Sequence, residues 1–145
     1  MVYYIESSIL ISILVEDDFY KKAENIWSLE GEKISSILTS IEAKIVLRRF
    51  HKLNKCILPL NWLSKKEKET DELLSQCYLI KIDERIRSIV DLKKEISDCR
   101  TLDAIHVATA LFFKSEAGGQ PLSICSFDAR ILAAGKKVGL SLNSS

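Results

Sequence analysis

The sequence predicts an α/β fold with a mostly parallel central sheet and helices on both faces. Three observations carry this. Short β-branched or aromatic runs alternate with longer stretches of helical period. The stretches between runs are long enough for the crossovers that parallel strands need. Acids stand where the apolar runs end: Glu6 after Val2-Tyr3-Tyr4-Ile5, Glu42 just past Ile37-Leu38-Thr39-Ser40, and Asp128 after the run from Leu122 to Phe127.

The elements follow in order. Val2 to Ile5 predicts a buried first strand. Ser7 or Ser8 can cap a helix through Ile9, Leu10, Ile13 and Leu14, and Asp17 or Asp18 a second with Tyr20, Ala23, Ile26 and Trp27 as its apolar stripe. Ile34 to Leu38 predicts the second strand, and Ser40 the cap of a helix carrying Ile41, Ile45, Leu47 and Leu53. Pro59 interrupts, and Ser64 opens a charged helix to about Gln76. Cys77 to Ile82 predicts a third strand, and Asp83 starts a helix with Ile86, Ile89, Val90 and Leu92 inward. The helix from Thr101 to about Lys114 is apolar nearly all round, so it belongs at the centre. Gly118, Gly119 and Pro121 form a loop before a fourth strand, Leu122 to Phe127. Asp128 opens a helix through Ile131, Leu132 and Ala134, and a last strand, Leu140 to Leu142, follows Gly139.

Length and composition set bounds. A chain of 145 residues, 47% hydrophobic and 28% charged, is expected to form one domain with an ordinary core. The net charge of +1 does not by itself advertise nucleic-acid binding. Local charge says more: from Lys44 to Lys66 there are seven lysines and arginines and no acid. Lys44, Arg48, Arg49 and Lys52 are the candidates there for tracking a phosphate backbone; the plainer reading is a solvated helix face. The four cysteines are widely spaced, which argues against zinc and predicts buried thiols in a reducing compartment. Acids break the N-terminal apolar stretch, so no signal peptide is expected, and no run is long enough to span a bilayer. The cytoplasm is the expected location.

Glu6, Glu42, Asp103 and Asp128 are the candidate catalytic residues. In the predicted fold three emerge beyond strand ends, where such folds bind ligands. Asp103 sits near the start of a helix otherwise so apolar that capping alone explains it poorly. None of the four has a basic residue as its immediate neighbour. Acids brought together without a cation repel, and a bound divalent metal resolves that repulsion. This points to metal-assisted phosphodiester chemistry. His106 reads as a packed or hydrogen-bonded helix residue, and His51 as a surface one. No G-x-S-x-G, P-loop or G-x-G-x-x-G is present, so serine hydrolase, P-loop and dinucleotide readings lack support.

These motifs resemble the PIN-domain ribonucleases, and within them the VapC-type toxins of toxin–antitoxin pairs. The resemblance rests on Tyr4-Ile5-Glu6-Ser7-Ser8, Thr39-Ser40-Ile41-Glu42 with Arg48-Arg49, Leu102 to Ala110, Ser126-Phe127-Asp128, and Gly139-Leu140, in that order over nearly the whole chain. It implies a three-layer α/β/α fold and an acidic pocket for Mg²⁺ or Mn²⁺. It implies hydrolysis of RNA, with tRNA one possible target, and a homodimer inhibited by a small VapB-like antitoxin. By position, Glu42, Asp103 and Asp128 match the family's acids, and Ser8 and Ser126 its accessory hydroxyls; Glu6, Asp103 and Asp128 are the expected metal ligands.

The first acid departs from the family, where aspartate is nearly invariant. Glu6 keeps the charge but moves it by roughly 1 Å, a misplacement that can cost on the order of a hundredfold in rate. Glu6 is then a working variant, the mark of an attenuated copy, or a deliberate change. A rival reading follows: a binding protein whose acidic pocket receives an Arg or Lys from an antitoxin tail. A phosphotransfer enzyme is a third, and it lacks the expected strand-end lysine.

Overall fold

The computed structural model describes residues 1–144. In chain order the elements are β1 (Val2–Ile5), α1 (Ser7–Val15), α2 (Tyr20–Trp27), β2 (Glu32–Ser36), α3 (Ile37–Leu53), α4 (Trp62–Leu74), β3 (Tyr78–Ile80), α5 (Glu84–Leu92), α6 (Thr101–Glu116), β4 (Leu122–Cys125), α7 (Ala129–Lys137) and β5 (Ser141–Asn143). A single 3₁₀ turn, Lys94–Asp98, joins α5 to α6.

The five strands lie in the order β3-β2-β1-β4-β5, and every pairing is parallel. Tyr4 sits opposite Ile34 on one side and Ile124 on the other. The strand faces sort the core, because successive side chains point to opposite sides. Val2, Tyr4, Ile34, Ile80, Leu122 and Ile124 pack beneath α5, α6 and α7. Ile5 and Cys125 pack beneath α1 and α2, and Leu10, Leu14, Ala43, Leu47 and Leu74 join α1 to α3 and α4. The result is three layers, α/β/α. Ile5, Ile34 and Ile124 are fully buried, and each such side chain contributes about 1.5–3 kcal/mol of hydrophobic stabilisation.

Several boundaries move from their predicted places. Strand β2 ends at Ser36, so Ile37 and Leu38 are helical, and Ser36 rather than Ser40 caps α3 by accepting from the Leu38 amide at 3.1 Å. Glu6, not Ser7 or Ser8, caps α1, accepting from the Ser8 amide. Helix α2 begins after Phe19 without a side-chain cap; Asp17 accepts from the Phe19 amide instead. Helix α4 starts at Trp62 rather than Ser64. Strands β3, β4 and β5 are Tyr78–Ile80, Leu122–Cys125 and Ser141–Asn143, each a shift or shortening of its predicted run. Asp83 and Asp128 cap their helices as expected. Of the cysteines only Cys125 is buried; Cys56 is exposed and Cys77 and Cys99 are intermediate. Burial raises the Cys125 thiol to about 12 and Cys77 to about 11. Among the described residues no helix is long and apolar enough to cross a membrane.

Strand order reverses between β1 and β4. From β1 the chain moves outward to β2 and β3, then returns to place β4 on the other side of β1. Carboxyl ends of neighbouring strands diverge into a crevice at such a point. Glu6 follows β1 and Asp128 follows β4, so the fold delivers both to that crevice.

Candidate active site

A cleft of about 340 Å³ opens there, lined by Glu6, Ser7, Ser8, Ile11, Glu42, Arg100, Thr101, Leu102, Asp103 and Asp128. All four predicted acids line it. Three larger clefts, of about 460, 480 and 450 Å³, lie along β3, on α4 and beside α2; in the first two the acids are interleaved with lysines or arginines, and the third has a single acid, Glu24.

Glu6 is buried, 4% exposed, and its carboxylate is held on several sides. Oε1 accepts from the Ser7 hydroxyl at 2.5 Å. Oε2 accepts from the Ser8 amide at 3.1 Å, the Ser8 hydroxyl at 2.5 Å and the Ser126 hydroxyl at 2.8 Å. Ser8 also accepts from the Phe127 amide, and Ser126 from the Asp128 amide. Both predicted accessory serines therefore stitch the end of β1 to the end of β4 through Glu6. These bonds meet the cost of burying the carboxylate and leave Oε1 with a lone pair.

Glu42 reaches the cleft from the second turn of α3, not from just past a strand as the sequence suggested. Its Oε1 lies 2.5 Å from His106 Nε2. His106 is fully buried on α6, and its Nδ1 lies 2.7 Å from the Tyr4 hydroxyl on β1. Asp103 and His106, three apart, share one face of α6. Ligating atoms of Glu6, Glu42 and His106 all lie within 4.8 Å of one another.

Asp103 stands in the first turn of α6, whose N-terminus has no side-chain cap. One Asp103 oxygen, Oδ2, is buried without a hydrogen-bond partner. Burial raises the Asp103 carboxyl above its usual range; Asp128 and Glu6 push the same way, and Arg100 partly opposes them. Asp128 Oδ1 accepts from the Arg130 amide at 2.8 Å. Sequence reasoning passed over Arg100, an exposed cation on the rim, and Ser7. It also missed what His106 touches, although the shared helix face offered a signal.

The basic stretch is partly neutralised. Lys44 pairs with Asp71 at 2.8 Å and Arg48 with Glu67 at 2.8 Å, so both tie α3 to α4. Arg49 and Lys52 are exposed. Arg49 is seven residues from Glu42, which puts both on one face of α3 about 10 Å apart along the axis.

The sequence profile of the PIN domain matches residues 3–137. The chain belongs to the PIN domain family. PIN domains are in general nucleases that use divalent metals. Solved structures agree on the fold. A toxin–antitoxin complex from Klebsiella pneumoniae is 19% identical with a TM-score of 0.65, covering 98% of this chain and 96% of that one. FitAcB from Neisseria gonorrhoeae is 12% identical with a TM-score of 0.72, covering 99% and 97%. VapBC2 from Rickettsia felis, bound to a promoter DNA fragment, is 11% identical with a TM-score of 0.66, covering 99% and 98%. Among curated proteins nothing matches the chain.

The PIN cleft fits a hard divalent cation. Its donors are carboxylate oxygens, which Mg²⁺ and Mn²⁺ prefer. The unpartnered Asp103 Oδ2 and the spare lone pair of Glu6 Oε1 are the atoms a cation would satisfy.

Proposed function

We propose that this PIN domain, spanning residues 1–145 as one unit, is a metal-dependent endoribonuclease and the toxin of a toxin–antitoxin pair in the cytoplasm. The observation that carries the reading is the convergence of Glu6, Glu42, Asp103 and Asp128 on one cleft at the reversal of strand order. Glu6, Asp103 and Asp128 hold Mg²⁺ or Mn²⁺. Bound there, the cation supplies an activated water and stabilises charge developing on the phosphate. Glu42 orients the attacking water and takes its proton, and the tethered Glu6 keeps one oxygen fixed at the centre. Ser8 and Ser126 hold Glu6 in place. Arg49 and Lys52 guide the RNA backbone away from the cleft along α3; Lys44 and Arg48 contribute less, because acids of α4 already hold them.

A VapB-like antitoxin is the protein partner, because the similar solved structures are toxin–antitoxin complexes. The exposed row of Ile37, Ile41 and Ile45 on α3 supports a protein partner beside the cleft. The chain acts as a homodimer. The rival reading, a pocket that mainly receives an antitoxin cation, draws on the same acids and needs no metal.

The test is cleavage of a mixed tRNA pool with Mn²⁺ or with EDTA, by the wild-type chain and Asp103→Asn. Wild type cuts, EDTA stops it, and Asp103→Asn falls at least about a hundredfold with its fold intact. Full activity in the variant sinks the role of Asp103. Antitoxin binding unchanged by EDTA, with no cleavage by wild type, favours the rival.

A further inference from the structure

Tyr4, His106 and Glu42 form a chain of contacts running from the core to the cleft. The sheet supplies Tyr4, the central helix supplies His106, and α3 supplies Glu42. Tyr4 and His106 are both fully buried, while Glu42 reaches water at one end. Their rings meet edge-on, with centroids 5.9 Å apart and planes at 71°. A carboxylate only accepts hydrogen bonds, so the 2.5 Å contact to Glu42 requires the hydrogen on Nε2. In a neutral ring Nδ1 is then an acceptor, and the Tyr4 hydroxyl 2.7 Å away donates to it.

Both ring nitrogens are thus committed, and neither offers a lone pair to the cleft. This decides between two roles for His106. It lies close enough to Glu6 and Glu42 to suggest a metal ligand, but its bonding makes it a group that holds a ligand or base in place. We infer that His106 is a positioning residue, its tautomer set by the Glu42 carboxylate and its ring held by Tyr4, that fixes Oε1 of Glu42 and turns Oε2 toward the reacting centre. The inference rests on the nuclease reading and deepens it, because the group being aimed is that reading's base. Outer partners of this kind typically cost about 10–100-fold in activity or metal affinity when lost.

Three replacements of His106 separate aiming from filling space. Gln reaches with its amide nitrogen toward the place of Nε2, Asn toward the place of Nδ1, and Leu fills the volume without a donor. The expected result is that His106→Gln keeps kcat within about tenfold of wild type, while His106→Asn and His106→Leu lose about a hundredfold, with KM for RNA unchanged in all three. A merely structural role predicts instead that kcat follows the melting temperature and that Gln has no advantage over Leu; that result overturns the inference.

The ring itself gives a readout independent of activity. In ¹⁵N spectra of the wild-type chain His106 is expected as a single Nε2–H tautomer, which Glu42→Ala disperses. An Nδ1–H tautomer overturns the inference. Absence of Mn²⁺-dependent cleavage by wild type counts against the nuclease reading alone, and the ring spectrum still decides whether the tether exists.

Discussion

Glu6 shows how one methylene can be absorbed by its surroundings. An aspartate here would cap α1 through the Ser8 amide, as short acids do well. It would also fall short of Ser126 by roughly the length of one bond, about 1.5 Å. The glutamate caps α1 and reaches Ser126 at 2.8 Å, joining the ends of β1 and β4. A pocket in which Ser7, Ser8 and Ser126 all close on the longer arm is built for glutamate. Of the three readings left by the sequence, this supports the working variant. Glu6→Asp is therefore expected to lower the melting temperature and to leave tRNA cleavage equal to or below wild type. Cleavage that rises tenfold or more in the aspartate variant would identify this chain as an attenuated copy. The four acids that line the cleft were legible in the sequence, Glu6 and Asp128 because carboxylates past apolar strands are conspicuous and Asp103 because its helix is otherwise apolar, whereas Glu42 was read past a strand and lies in the second turn of α3. The hydroxyl cage was legible only in part. Ser8 and Ser126 were named by resemblance; Ser7 contacts its own neighbour Glu6, whereas the contacts of His106 depend on three-dimensional closure across 64 and 102 positions of chain.

Helix α3 positions Glu42, and its start decides where that side chain points. The sequence reading began the helix at Ser40, because it took Ile34 to Leu38 as one strand. Periodicity cannot tell the end of a buried strand from the first turn of a buried helix. The structure places the break at Ser36, four residues earlier, with its hydroxyl on the Leu38 amide. Ser40 then lies inside the helix, where a hydroxyl has no capping work. Ser36→Ala is expected to cost about 1 kcal/mol, and up to about 2, read as a drop of roughly 2–4 °C in melting temperature per kcal/mol. Ser40→Ala is expected to change stability by less than about 0.5 kcal/mol, because alanine is the better helix former. Denaturant melts of the two variants side by side check this, and the reverse order would return the cap to Ser40. The strongly patterned elements, β1, α6 and α7, needed no such revision. The ends that moved are those where an apolar residue fits either state, as at Ile37, or where no side chain caps the helix, as at Trp62.

Over the whole molecule, the chain order of strands and helices was legible and the order in the sheet was not. Five parallel strands can be arranged in several ways that bury the same residues, and pairing between distant runs leaves little local trace. The order β3-β2-β1-β4-β5 matters because it sets Glu6 beside Asp128 and brings Asp103 over both. Gathering these acids has a consequence for stability. Burial, then Asp128 and Glu6, hold the Asp103 carboxyl above its usual range. The unfolded chain does not impose this, so the folded state binds that proton more tightly than the unfolded state. The stability Asp103 contributes is thus present in acid. It is lost as pH rises from the ordinary carboxylate range through the raised value, and it stays lost at neutral pH. Asp103→Asn removes that titration, and comparing the two chains cancels the acids they share. In EDTA the melting temperature of Asp103→Asn is expected to exceed that of wild type at pH 7, with the gap closing as pH falls through this window. Adding Mn²⁺ at pH 7 is expected to narrow the gap by stabilising wild type more than the variant, since a ligand that binds only the folded state raises its stability. An asparagine variant less stable than wild type at pH 7 in EDTA, or one stabilised equally by Mn²⁺, would mean that the acids do not strain the fold toward a cation.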